Sequence, residues 1–205
     1  MNLILRDYQI DISKRAFKIL QDKNIVYLAM QVRTGKTITS LEICRLFGAK
    51  KVLFITKIKA FKSIQNDSKN FDFETFIINN ESLHKIIDNN FDVIISDEHH
   101  RAGAYPKTNN WINIFKEKFS NKPIIFLSGT PTPESFSQWY HQFWVSYFSP
   151  FKEYKNFYKW SNNFVNVTQK NLGYAKVNDY SDAKIDLIQP IINDYIITLD
   201  RKAHV

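Results

Sequence analysis

Five short apolar runs, rich in β-branched residues, limit what this chain can fold into more than any other feature. They are Ile25–Ala29, Lys51–Ile55, Glu74–Ile78, Phe91–Ile95 and Pro123–Leu127. Each has strand length, and near-continuous apolarity suits strands covered on both faces. Between them, helical patterns span 7–21, 36–48, 58–70, 81–89, 108–119 and 135–147. This alternation predicts an α/β fold, a mainly parallel sheet with helices on both faces. The chain has 205 residues, which suits one such domain, or one with a short appendage, and buries a sizeable core. No internal repeat or low-complexity linker interrupts it. Residues 150–180 differ in texture, mixing Phe, Tyr, Trp, Lys and Asn. There Phe151, Tyr154, Phe157 and Tyr158 recur at helical spacing, which favours an amphipathic helix packed on the lobe or a partner over a base-stacking surface. Residues 181–198 return to a helix-then-strand pattern.

Parallel sheets place ligands at the carboxyl ends of their strands. The segments following the five runs are Met30–Thr37, Thr56–Lys59, Asn79–Ser82, Asp97–Gly103 and Ser128–Pro133, all rich in polar or special-backbone residues. The first, MQVRTGKT, ends like the phosphate loop G-x-x-x-x-G-K-[ST], with Met30 where the first glycine belongs. A strand, a tight loop and a helix opening at Lys36 form the right context. Backbone N–H groups around Arg33, Thr34 and Gly35 would face phosphates, helped by the helix dipole. Lys36 would reach the β- and γ-phosphates, Thr37 would place its hydroxyl on Mg2+, and Gly35 lets the backbone approach closely. Taken alone, the segment also reads as an ordinary strand–loop–helix turn.

The fourth segment runs an apolar strand into Asp97-Glu98-His99-His100. Beside a phosphate loop, Asp97 would hold Mg2+ and Glu98 would orient and deprotonate an attacking water. Two acids at a strand end are commonplace in isolation; their occurrence with GKT is what carries the reading. The paired histidines do not make a zinc site, because no spaced histidine or cysteine completes a ligand set. His84 and His141 read as structural.

The formal charge is +8, which favours polyanionic partners, mainly nucleic acid, although a solvated lysine-rich surface accounts for charge alone equally well. Cys44 is the only cysteine, which excludes an internal disulfide framework and points to a reducing, cytoplasmic setting. No signal-peptide pattern and no apolar run of about 18 residues is present, so no membrane partner is expected.

At this point the sequence resembles a known family. Asp97-Glu98-His99-His100 is similar to the DExH box of superfamily 2 helicases and translocases, in which the first glycine of the phosphate loop is commonly absent. Leu5-Arg6-Asp7-Tyr8-Gln9 resembles the upstream "LRPYQ" of Snf-type DNA translocases, with Asp7 for the proline. That likeness implies that Gln9, with Arg6 beside it, reads the adenine edge. Ser128-Gly129-Thr130-Pro131 resembles motif III, "TGTP", which couples nucleotide state to the nucleic-acid groove. Looser matches are Val52–Lys57 to motif Ia, Ile77–Leu83 to "I-x-N-Y-E-x-L", and Asp97–Arg101 followed by Lys107-Thr108-Asn109 to "DEAHR…K". The wording of SGTPTPES and the aromatic segment after it is most like bacteriophage-encoded Snf-type helicases.

The resemblance covers about residues 3–150 and implies a RecA-like P-loop NTPase lobe at 1–150, with 151–205 as a helical and aromatic extension of it. ATP and Mg2+ are the implied cofactors, and DNA more than RNA the implied partner. His100 would link the box to motif III. Thr56, Lys57, Lys59, Asn79, Asn80, Arg101, Lys107 and Thr130 would line the nucleic-acid groove. A second RecA-like lobe, in cis or trans, would complete the ATP cleft, since the roughly 55 residues after 150 are too few for one. A phage origin would place the protein in host cytoplasm. Two other functions fit the same motifs: a non-catalytic nucleic-acid-binding or interaction module, and the motor part of a restriction-type enzyme.

Overall fold

A computed structural model describes residues 4–173 and 175–199; the last six positions of the 151–205 extension lie outside the described residues. The chain begins with helix α1 (Asp7–Lys23), followed by β1 (Ile25–Met30), α2 (Lys36–Phe47), β2 (Lys51–Ile55), α3 (Phe61–Ser68) and β3 (Glu74–Ile78). Next come β4 (Val93–Ser96), α4 (Asn110–Phe119), β5 (Ile124–Ser128), α5 (Trp139–Trp144) and α6 (Phe157–Phe164). A hairpin of β6 (Thr168–Asn171) and β7 (Lys176–Asp179), then α7 (Ile185–Asn193) and β8 (Ile196–Leu199), complete it.

Six strands form one sheet in the order β3-β2-β4-β5-β1-β8, and every pairing in it is parallel. The five predicted runs are its first five strands, and the terminal segment supplies the sixth. Their apolarity is continuous because successive side chains enter different cores. Ile25 and Tyr27 of β1, with Ile124 and Phe126 of β5, face a core closed by α4, α5, α6 and α7. Val26, Leu28 and Met30, with Ile125 and Leu127, face a second core closed by α1, α2 and α3. Helices therefore cover both faces, as the pattern predicts.

Three sequence expectations are corrected. The pattern at 81–89 is not an α-helix: a 3-10 helix spans Asn80–Lys85, and the chain then turns extended at Ile86. Tertiary contacts override the pattern there, since Lys118 Nζ donates to the Ile86 carbonyl at 2.8 Å and Asn89 donates to the Lys118 carbonyl. The expected helix at 135–147 is a short 3-10 turn, Phe136–Gln138, leading into α5. In the aromatic segment the helix starts only at Phe157, where Asn156 Oδ1 accepts from the Lys159 N–H at 3.0 Å and caps it. Phe151 and Tyr154 precede the helix in turns, yet Phe151, Phe157, Trp160 and Phe164 are all buried against the sheet. Tyr158 stays exposed.

Candidate functional site

The sheet order decides the site. Strands β4, β5 and β1 are adjacent, so the ends carrying the acidic box, the Ser128–Pro131 loop and the phosphate loop lie side by side. Neighbouring strands are about 4.8 Å apart, so three loops distant in sequence come within reach of one ligand. Their meeting point is an open cleft of about 260 Å³ lined by Gln31, Val32, Lys36, Glu98, Gly129 and Thr130.

The phosphate loop turns through two left-handed residues, Arg33 at φ 67° and Gly35 at φ 77°, the second being the N-cap of α2. Gly35 is required twice over, because a Cβ there would stand 2.2 Å from Gln9 Nε2. No side chain caps α2, so its first N–H groups remain directed at the cleft, where the helix dipole favours an anion. Lys36 folds back on its own loop, Nζ donating to the Met30 carbonyl at 2.9 Å and more weakly to that of Gln31 at 3.3 Å. Burial lowers its pKa, opposed by the negative charges of Asp97 and Glu98. Thr37 is half-buried in the first turn, and Thr34 is buried with its hydroxyl on the Gln31 carbonyl at 2.6 Å.

The N-terminal segment docks on this loop. Gln9 is buried, its Oε1 accepting from the Arg6 N–H at 2.9 Å, while Arg6 itself is exposed. Tyr8, which sequence reasoning passed over, donates its hydroxyl to the Thr34 carbonyl at 3.1 Å. An aromatic residue beside the glutamine was the signal available for it.

In the acidic box, Asp97 Oδ2 accepts from the Thr56 hydroxyl at 2.8 Å and Oδ1 from the Glu98 N–H at 2.9 Å. Burial raises the Asp97 pKa; the Thr56 bond opposes this, and the neighbouring charge of Glu98 adds to it. Glu98 sits at φ 51°, a left-handed conformation that turns its carboxylate into the cleft. Non-glycine residues held there cost about 1–3 kcal/mol and cluster at functional sites. His100 Nδ1 lies 2.9 Å from Ser128 Oγ and 3.5 Å from Glu98 Oε2, and burial is the main reason its pKa is lowered. Ser128 Oγ also accepts from the Thr130 N–H at 3.1 Å. Gly129 packs over the phosphate loop, where a Cβ would lie 3.6 Å from the Met30 carbonyl oxygen and 3.7 Å from Lys36 Nζ.

His99 belongs to the core. It is fully buried, stacked on Phe126 with centroids 3.9 Å apart, and burial drives its pKa down to about 3. Among the described residues no group of three or more His, Cys, Asp or Glu is placed to hold a metal. Mg2+ takes one or two protein oxygens and completes its shell with phosphate and water. Thr37 and Asp97 fit such a role. Each Asp97 oxygen keeps a lone pair beyond its present bond.

The remaining predicted residues follow the same row of strand ends. Thr56 is buried, its hydroxyl committed to Asp97. Lys57 is half-buried and its charge reaches His100, while Lys59 is exposed on the next turn. Asn79 donates to Glu81 Oε2 at 2.8 Å; Asn80 is buried, and its Oδ1 has no hydrogen-bond partner. Arg101 lies 3.8 Å from Glu81, and Lys107 and Thr130 are exposed. No helix among the described residues is long and apolar enough to cross a membrane.

Comparison with known proteins bears on the fold. The family described as "Type III restriction enzyme, res subunit" matches residues 56–133, from the end of β2 through the Ser128–Pro131 loop. No curated protein matches the chain. Among solved structures, the Sulfolobus solfataricus SWI2/SNF2 ATPase core in complex with dsDNA aligns over 97% of this chain with a TM-score of 0.73 and 14% identity. The chain spans 45% of that protein's length. A partial likeness to the Type ISP restriction-modification enzyme LlaGI covers 63% of this chain and 18% of that one, with 20% identity and a TM-score of 0.48. The mainly parallel sheet with helices on both faces is a RecA-like fold, shared with that SWI2/SNF2 core.

Proposed function

We propose that this chain is the ATP-binding lobe of a DNA-dependent ATPase of superfamily 2, DExH-box and Snf-type, which couples Mg-ATP hydrolysis to movement on nucleic acid. The observation that carries the reading is the convergence of Lys36, Glu98 and Thr130 on one cleft from three adjacent strand ends. On binding ATP, Lys36 exchanges the Met30 and Gln31 carbonyls for β- and γ-phosphate oxygens, and the α2 N–H groups hold the same phosphates. Thr37 and Asp97 would hold Mg2+, which would supply neutralisation of phosphoryl charge. Glu98 orients a water in line with the γ-phosphorus and accepts its proton; the bond to the bridging oxygen breaks and ADP leaves. Gln9 and Arg6 stand at the adenine side.

Nucleic acid lies across Lys57, Lys59, Asn79, Arg101, Lys107 and Thr130, held by phosphate contacts that ignore sequence, while Thr56 and Asn80, expected in the same groove, are buried beneath it. The similarity in fold to a core in complex with dsDNA supports DNA as the partner. A second RecA-like lobe supplies the cation that closes the cleft, a contribution of about 10³–10⁵ in rate in related phosphoryl-transfer systems. The match to the restriction-enzyme family favours, as a second reading, the motor part of a restriction-type enzyme. A phage-encoded protein working in host cytoplasm fits either reading.

The test is nucleotide binding and turnover. Lys36→Ala abolishes Mg-ATP binding, and Glu98→Gln keeps binding and loses turnover. Unchanged ATP affinity in the lysine variant refutes the site. DNA-stimulated hydrolysis by this chain alone rules out a purely non-catalytic module.

A further inference from the structure

Gln142, on α5, is fully buried and uses its polar groups to join three parts of the molecule. Its Oε1 accepts from the Tyr27 hydroxyl of β1 at 2.7 Å. Its Nε2 donates to the Pro131 carbonyl at 2.8 Å and, more weakly, to that of Gln138 at 3.2 Å. Its backbone carbonyl, left over at the end of a short helix, receives the buried Nε2–H of His99 at 2.8 Å. With His99 neutral and Nε2 donating, Nδ1 accepts from Ser96 Oγ at 2.9 Å, which ties the ring to the strand before the box. The Tyr27 hydroxyl also meets Ser128, the partner of His100. One side chain outside every sequence motif therefore holds the phosphate-loop strand, the acidic box and the Ser128–Pro131 loop in a single buried network.

We infer that Gln142 is a positioning residue for the proposed ATPase reaction: it fixes the Ser128–Pro131 loop, and so Thr130 and Ser128, against the acidic box. The inference rests on the function proposed above. Burial alone does not require a glutamine here, since neighbouring Phe143 and Trp139 fill the same core with apolar groups. A side-chain amide accepts from Tyr27 through its oxygen and donates to the Pro131 and Gln138 carbonyls through its nitrogen at once, which an apolar side chain cannot do. Pro131 is only half-buried, so without Gln142 water can take its carbonyl and the loop loses its tether without unfolding the core.

The experiment separates tethering from packing with Gln142→Met, Tyr27→Phe and the double variant. Gln142→Met leaves the Tyr27 hydroxyl buried without its amide partner, which lowers stability; adding Tyr27→Phe removes that hydroxyl and restores most of the loss. If Gln142 positions the loop, the Thr130 amide, held by Ser128, exchanges with solvent about tenfold faster or more in both variants lacking Gln142, and by a smaller factor in Tyr27→Phe, whose lost hydroxyl also meets Ser128. Mg-ATP affinity stays within about threefold of native, while single-turnover ATP cleavage falls about tenfold or more in the same two variants. Recovery of Thr130 protection along with stability in the double variant overturns the inference, because Gln142 would then be core filling only. Cleavage within about twofold of native in Gln142→Met overturns it equally. If the native chain cleaves no ATP, the proposed activity of the lone lobe fails, and Thr130 exchange by itself decides whether Gln142 holds the loop.

Discussion

Replacing Gly35 by alanine tests the packing of the N-terminal segment on the phosphate loop. Two separate costs follow from the structure. The backbone at φ 77° is left-handed, which costs an L-residue about 1–2 kcal/mol. The new methyl would also stand 2.2 Å from Gln9 Nε2, so the glutamine must leave and forfeit the bond between its Oε1 and the Arg6 N–H. That bond contributes about 1 kcal/mol. The sum is about 2–3 kcal/mol, a fall in Tm of roughly 5–10 °C for a chain of this size. Urea and thermal unfolding followed by circular dichroism measure it, and the same substitution in a Gln9→Ala background isolates the second cost. Once Gln9 is gone the methyl meets no side chain there, so Gly35→Ala costs only its backbone share and the cycle gives a coupling of about 1 kcal/mol. Equal costs in both backgrounds refute the contact between Gln9 and the loop. A total below about 0.5 kcal/mol refutes the left-handed turn itself.

Two further outcomes concern titration. Asp97 has a raised pKa in the folded protein, so the folded state binds its proton more tightly than the unfolded chain and loses stability as pH rises through the carboxylate range. Asp97→Asn cannot titrate; by urea denaturation at pH 4 and pH 7.5 it gains on the native protein at the higher pH, and it loses Mg2+-dependent nucleotide binding. A native protein that gains on the variant over that window refutes the reasoning. Lys116 is pushed down to about 8 by burial, its Nζ donating to the Trp144 carbonyl at 2.7 Å and lying 3.6 Å over the Trp144 ring. Here the unfolded chain binds the proton more tightly, so native stability rises between about pH 8 and pH 10.4. Lys116→Met lacks that rise, and parallel stability curves for the two proteins refute it.

Strand positions were legible because strands buried on both faces need apolar residues at every position, as in Val93–Ile95. The three cleft loops were legible because each follows directly from such a run. Interactions that span the chain were not. Nothing in the sequence pairs Tyr27 with Gln142, 115 positions away, or Tyr8 with Thr34. The expected helix at 81–89 failed for the same reason, since the capture of Ile86 and Asn89 by Lys118 is a tertiary event invisible to periodicity. The hairpin β6–β7 escaped notice because its strands are exposed on both sides and carry no apolar alternation. It is anchored at its base instead, where Ser137 and Ser135 donate to the Tyr180 and Ser181 carbonyls at 2.5 and 2.7 Å.

The strand that bears the phosphate loop is not at the rim of the sheet. Strand β8 pairs with β1 from Tyr27↔Ile196 to Met30↔Leu199, and the Gln31 N–H donates to the Leu199 carbonyl at 3.1 Å. The end of the described chain thus seals the hydrogen-bonding edge of the nucleotide strand. A fragment cut at residue 150 would keep GKT, DEHH and SGTP yet leave β1 with a bare row of amides and carbonyls, a template for pairing with other chains. Dissection of this lobe by its motifs alone would yield a piece prone to aggregate, and its practical boundary lies beyond Leu199.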